Sequence, residues 1–199
     1  MGKPEQSWGH FYADSGTPEY YRRHVEIHKT FLDRVEEGKP RRVLEAGCGS
    51  GIMSVYFSKK GIETTALDRD REVLAKAKQS GEALGGRAVY REGNIFKLPF
   101  SDGTFDAAFS QGVLEHFSDD DIRRAVREQL RVARRVWISV PSKYYNHRDF
   151  GDERLLTDKE WKKILEGTGK VGAEYYFYLR VKRNFLIRRP LMLLVDVSR

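Results

Sequence analysis

Short apolar runs alternate with polar, glycine-bearing turns along most of this chain, and the spacing changes from strand-like to helix-like at regular intervals. Val43 to Ala46 reads as a strand that breaks into Gly47-Cys48-Gly49-Ser50-Gly51, and Ile52 to Lys60 then has helical periodicity. Ile62 to Leu67 gives a second strand ending at Asp68, followed by a helix from Asp70 to Ser80 and a third strand from Ala88 to Arg91. A fourth strand spans Phe105 to Ser110, a helix Asp119 to Arg131, and a fifth strand Val136 to Val140, stopped by Pro141. Thr157-Asp158-Lys159-Glu160 is a capping box for a helix to about Glu166, and Tyr175 to Lys182 with Leu191 to Val197 read as two closing strands. At the other end, Thr17-Pro18 opens a helix running to about Glu37.

The turn after the first strand narrows the chemistry. Glycine tolerates positive φ and carries no side chain to hold a ligand off the backbone, so three glycines spaced two apart form a surface against which a ligand can lie. The helix that follows adds backbone N–H groups at its N-terminus. A phosphate-cradling loop would need Gly-Lys-Ser/Thr here, yet Gly51 is followed by Ile52 and Met53. The dinucleotide fingerprint would place its third glycine at position 52, where isoleucine stands, so a nicotinamide or flavin is the weaker reading. Glu45, just ahead of the turn, suits a cationic ligand group better than a pyrophosphate.

The sequence Glu45-Ala46-Gly47-Cys48-Gly49-Ser50-Gly51, taken with Asp68, Gly93-Asn94-Ile95, Leu98-Pro99-Phe100 and Val113-Leu114-Glu115-His116 in that order, resembles the class I S-adenosylmethionine-dependent methyltransferases, small-molecule branch. The resemblance covers residues 41 to about 141 and continues more loosely to the C-terminus. It implies an α/β fold: a single-domain, doubly wound, seven-stranded, mostly parallel sheet with an antiparallel last strand and helices on both faces. It also implies S-adenosylmethionine as cofactor and S-adenosylhomocysteine as product. In that frame Asp68 accepts from the ribose diol with Arg69 beside it, and Glu45 faces the ammonium of the methionyl end. Asn94 and Ile95 flank the adenine, while Ser110, Gln111 and Gly112 line the methionine moiety. Gly47, Cys48 and Gly49 form the cofactor turn. Cys48 reads as packing between the glycines, and an ordinary turn role for Asn94 stays open.

With 199 residues, the chain is long enough for one doubly wound sheet and leaves little for a separate substrate domain. Residues 1–40 are read as an N-terminal helical lid segment and 41–199 as the cofactor-binding domain. One cysteine excludes a disulfide framework and a multi-cysteine zinc site, and no metal is expected. No apolar run approaches a membrane span or a signal-peptide core, which makes the cytoplasm the default location. The net charge of +7 (36 basic residues against 29 acidic) raises a nucleic-acid partner without favouring one, because the basic residues are dispersed. Their densest groups are Arg123-Arg124, Arg131 with Arg134-Arg135, and the apolar-basic stretch Arg180 to Arg189. The last fits an acidic partner, a membrane surface or a loop between strands equally well.

The acceptor is read from the chain ends and the loops. Trp8, His10, Phe11, Tyr12, Tyr20, Tyr21 and His24 suit an active-site lid as well as helix packing, and Ser142 to Phe150 is polar and aromatic after the fifth strand. Methyl transfer from an activated sulfonium asks chiefly for alignment and exclusion of water. A base is needed only for an acceptor that carries a proton, and His116 is the candidate catalytic residue, with a structural role as its alternative. After the fourth strand the chain lacks the Asn/Asp-Pro-Pro-Tyr/Phe motif that gathers a planar nitrogen, which argues against DNA base methylation. A small-molecule acceptor is therefore expected. The alternatives are an RNA or protein acceptor meeting the basic surface, and a cofactor-binding module without turnover.

Overall fold

The computed structural model describes residues 15–145, 151–176 and 192–199. In chain order the elements are α1 (Pro18–Ile27), α2 (Lys29–Glu37), β1 (Arg42–Ala46), α3 (Ile52–Lys59), β2 (Glu63–Asp68), α4 (Arg71–Ala83) and β3 (Val89–Glu92). They continue with β4 (Phe105–Gln111), a 3-10 turn (Leu114–His116), α5 (Asp119–Val132), β5 (Ala133–Pro141), α6 (Asp158–Ile164), β6 (Lys170–Tyr176) and β7 (Met192–Ser198).

The seven strands form one sheet in the order β3-β2-β1-β4-β5-β7-β6. Strands β1 to β5 pair in parallel, and β7 lies antiparallel to both β5 and β6. The alternation of side chains along a strand fills two faces. Ala108 of β4, Val136, Ile138 and Val140 of β5, and Leu193, Val195 and Val197 of β7 pack with α5 and α6. Val43, Ala107, Phe109, Trp137 and Leu194 turn the other way, onto Phe31, Leu32, Met53 and Phe57 of α2 and α3. The sheet is thus doubly wound, as expected from the alternation of strand and helix. The chain starts at β1, moves outward to β3, and returns to place β4 on the free side of β1. This reversal is the point where open α/β sheets hold ligands, outside the carboxyl ends of the two central strands.

Local signals in the sequence account for several helix starts. Thr17 caps α1, Asp70 caps α4 through both Glu72 N–H and Val73 N–H, Ser118 caps α5, and the Thr157–Glu160 capping box forms in both directions.

Two expectations are corrected. The predicted helix to about Glu37 divides at His28, whose φ and ψ of −96° and 16° end α1 and precede α2. The His28 imidazole is buried and shares a hydrogen bond with the Tyr176 hydroxyl at 2.9 Å, a contact across 148 positions that no local pattern announces. The first closing strand starts at Lys170 rather than Tyr175. It is an edge strand of Lys-Val-Gly-Ala-Glu-Tyr-Tyr, mostly half-buried, and lacks the apolar run by which inner strands are recognised. Residues 177–182 of that prediction, and the stretch Arg180 to Arg189, lie outside the described residues.

Candidate active site

The glycine turn takes the conformation its composition allows. Gly47, Gly49 and Gly51 have φ of 79°, 51° and 69°, all in the left-handed region that side chains disfavour. Gly47 N–H and Cys48 N–H both donate to Leu67 O, at 2.8 and 2.9 Å, which ties the turn to the end of β2. Gly51 N–H returns to Cys48 O at 2.8 Å and Gly51 then opens α3. The turn is also crowded from the β4 side: a Cβ on Gly47 would sit 2.9 and 3.0 Å from the methyls of Val113.

Asp68, the last residue of β2, braces the same turn. Its Oδ2 accepts from Gly49 N–H at 3.0 Å and its Oδ1 from Asp70 N–H at 3.1 Å. Each carboxylate oxygen keeps a second lone pair for a ligand. The helix cap therefore falls to Asp70, which leaves Asp68 to the turn.

A cavity of about 330 Å³ opens at this switch point. From the glycine turn and β2 it is lined by Gly47, Gly49, Asp68 and Arg69, and from the segment after β3 by Gly93 and Ile95. Beyond β4 its lining is Gly112, Val113, His116 and Phe117, joined by Asp152 from the segment after β5. Its size falls within the range of small-molecule sites. Gly47, Gly49, Asp68, Arg69, Ile95 and His116 are thus brought together around one cavity.

Glu45, Cys48, Asn94 and Gln111 do not line that cavity. Glu45 is buried, and its Oε2 accepts from Ser54 N–H at 2.9 Å and from Ser54 Oγ–H at 2.5 Å. Burial pushes its carboxyl up to about 8 despite the two Ser54 hydrogen bonds, which pull it down. Cys48 packs against Ala66 and Ala77, and burial raises its thiol. Asn94 Oδ1 accepts from Phe96 N–H at 2.9 Å, which closes the turn after β3. Gln111 is half-buried at the end of β4, and the neighbouring Ser110 hydroxyl is buried with no hydrogen-bond partner.

Tyr90 of β3, which the sequence reading passed over, leans on the same glycine turn. Its ring would meet a Cβ built on Gly51 at 3.2 Å, and its buried hydroxyl has no partner.

The other end of the cavity is built by the 3-10 turn after β4. His116 Nδ1 stands 2.8 Å from Asp152 Oδ1, a residue 36 positions later. The segment carrying Asp152 is fastened to that turn by Arg154, whose backbone N–H donates to Glu115 O and whose guanidinium reaches Phe117 O and Asp119. His116, Asp152 and the buried Glu153 offer ligand atoms within 4.8 Å of one another, a spacing that could also hold a cation. No sequence signal pointed to Asp152 or Glu153, because nothing local links them to the 3-10 turn. Tyr145 packs against the core on the α2–α3 face, and Ser142 bridges to Leu156. Residues 146–150 of the loop, and Trp8, His10, Phe11 and Tyr12, fall outside the described residues.

Part of the basic surface is engaged within the chain. Arg131 pairs with Glu128 and Asp102 and donates to the carbonyls of Leu98 and Phe100, and so pins the loop before β4. Arg135 pairs with Asp196 over the Trp137 ring, and Arg123 bonds Asp120 and Ile164 O. No helix among the described residues is long and apolar enough to cross a membrane.

Comparison with known proteins adds three findings. Residues 44–136 match the family described as Methyltransferase domain. The malonyl-[acyl-carrier protein] O-methyltransferase of Pseudescherichia vulneris is 30% identical over 164 residues, 71% of this chain and 64% of that protein. Ajmaline N-methyltransferase of Rauvolfia serpentina is 30% identical over 154 residues, 75% of this chain and 50% of that protein. The chain thus spans less than two thirds of the length of either relative. A chain of the complex between the Haloferax volcanii Trm112 methyltransferase activator and a methyltransferase superposes with a TM-score of 0.72 at 18% identity. That superposition covers 98% of this chain and 99% of the other, a likeness of fold.

Proposed function

We propose that this chain, whose residues 44–136 match the methyltransferase domain family, is a class I S-adenosylmethionine-dependent methyltransferase that transfers a methyl group from S-adenosylmethionine to a small-molecule acceptor by in-line displacement. The observation that carries this reading is the cavity at the β1–β4 switch point, with the braced glycine turn and Asp68 at one end and His116 at the other. The residues fit an adenosyl sulfonium donor. Asp68 has lone pairs for a ribose diol, Ile95 offers an apolar face for a ring, and Gly47 and Gly49 keep the turn clear of side chains. When bound, the donor supplies a methyl group already activated on sulfur.

The chain's own residues do the remainder. The glycine turn and Asp68 fix the donor's position, Val113 and Phe117 give the reacting end apolar walls that exclude water, and His116 is the group able to hold a proton beside the acceptor. Glu45 acts from behind the turn through Ser54 at the first residues of α3. Within the segment 1–40 proposed as a lid on the 41–199 domain, α2 packs on the sheet through Phe31, Leu32 and Val35. Ser15 meets Ser80 of α4 at 3.1 Å, so the segment starts its described course on the helix that follows Asp68. The relatives named for malonyl-[acyl-carrier protein] and for ajmaline support a small or carrier-bound acceptor over a nucleic acid, as do the ion pairs that engage Arg131 and Arg135. A cytoplasmic location suits the lone buried thiol of Cys48.

Two measurements test this. Calorimetry should give micromolar binding of S-adenosylhomocysteine, about 8 kcal/mol, and methyl-tritiated S-adenosylmethionine should label small metabolites. No binding overturns the reading. Binding without transfer to any acceptor favours a cofactor-binding module, and label in RNA or protein moves the acceptor to a macromolecule.

A further inference from the structure

We propose that Asp152 is a positioning residue that fixes His116 in the tautomer able to take a proton from the acceptor. The step rests on the methyltransferase reading. An ionised carboxylate can only accept, so the 2.8 Å contact between His116 Nδ1 and Asp152 Oδ1 places the hydrogen on Nδ1. Neutral imidazole carries one ring hydrogen, and Nε2 is thereby left as the accepting nitrogen. His116 lines the cavity and its side chain is 13% exposed, against 66% for Asp152. The histidine is held inside while its orienting carboxylate sits at the rim.

The pair is assembled by design of the backbone around it. The 3-10 turn Leu114–His116 follows the end of β4, and Arg154 clamps the Asp152 segment to Glu115 O, Phe117 O and Asp119. Two segments that approach only in the folded chain therefore meet at this dyad.

The chemistry follows with atoms and charge in balance. The acceptor's oxygen or nitrogen attacks the methyl carbon, the carbon–sulfur bond breaks, and sulfur keeps the electron pair as S-adenosylhomocysteine. The acceptor's proton passes to His116 Nε2, and the resulting imidazolium is held by Asp152, so the sulfonium's positive charge ends on the histidine. Such a base serves an acceptor that arrives with its proton, an alcohol, a phenol or an amine bearing N–H, rather than a carboxylate.

Nitrogen-15 correlation spectra of histidine-labelled protein, with His116 assigned from the signals missing in His116→Gln, read the tautomer directly. In the full chain His116 should carry its hydrogen on Nδ1, and in Asp152→Ala the population should move to Nε2–H. An Nε2–H form in the unaltered protein, or a tautomer that Asp152→Ala leaves in place, overturns the proposal. So does loss of the His116 signals with one equivalent of Mn²⁺, which would assign His116, Asp152 and Glu153 to a cation. S-adenosylhomocysteine titrated into the unaltered protein separates the two levels. Binding with the wrong tautomer removes only the dyad, whereas the right tautomer without binding removes the methyl-transfer reading beneath it.

Discussion

Gly49 donates its backbone N–H to Asp68 Oδ2 at 3.0 Å, so the carboxylate offered to a ligand also holds the turn on which that ligand would rest. Asp68→Ala removes both. S-adenosylhomocysteine affinity should fall by about 1.5 to 3 kcal/mol, the usual cost of losing hydrogen bonds to a charged group, or roughly 10- to 150-fold. Calorimetry on a variant shown to be folded by circular dichroism decides it. Unchanged affinity would detach Asp68 from the ligand.

Gly47 is constrained twice, by its φ of 79° and by Val113. Gly47→Ala should lower stability by about 1 to 3 kcal/mol and weaken S-adenosylhomocysteine binding, since the turn must move. Pairing it with Val113→Ala should recover the part due to the clash and leave the backbone part. Urea midpoints of the four proteins in this cycle measure the split, and strict additivity would mean that Val113 does not press on the turn.

The buried carboxyl of Glu45 has a folded value of about 8 against an ordinary 4.5. The native state therefore keeps a proton that the unfolded chain has lost across that interval, and stability falls as pH rises through it. Glu45→Gln mimics the protonated form. It should match the unaltered protein near pH 5 and exceed it by about 2 to 4 kcal/mol at pH 8. Urea titrations at both values give the comparison, and equal stability of the two proteins at pH 8 would show that Glu45 ionises freely.

His28 works with the opposite sign. Burial pushes its imidazole down to about 3, with the charge of His24 adding to the effect. The unfolded chain takes up a proton below about 6.5 that the native state refuses, so stability is lost as pH falls from there toward 3. Its share of that loss should reach about 2 kcal/mol at pH 5. His28→Gln should flatten the decline between pH 7 and 5, and a slope that does not change would place the acid sensitivity elsewhere.

The local code sufficed for much of this molecule because the governing interactions are short in sequence. Short, largely apolar runs of four to seven residues marked β1, β2, β4, β5 and β7, and capping residues marked the starts of α1 and α6 to the residue. The alternating glycines and Asp68 identified the turn, because only glycine accepts three positive φ values within five positions.

Tertiary contact decided what depends on pairs distant along the chain. His28, where the helix divides, bonds Tyr176 from the far end of the chain, β6 finds its pairing partner in β7, and Arg154 fastens the segment that carries Asp152 to the 3-10 turn of His116. Glu45 shows both levels at once. Its place before the glycines was legible, but its burial against Ser54 follows from how α3 packs on β1, and desolvation by surrounding chain is a property that no window of sequence contains.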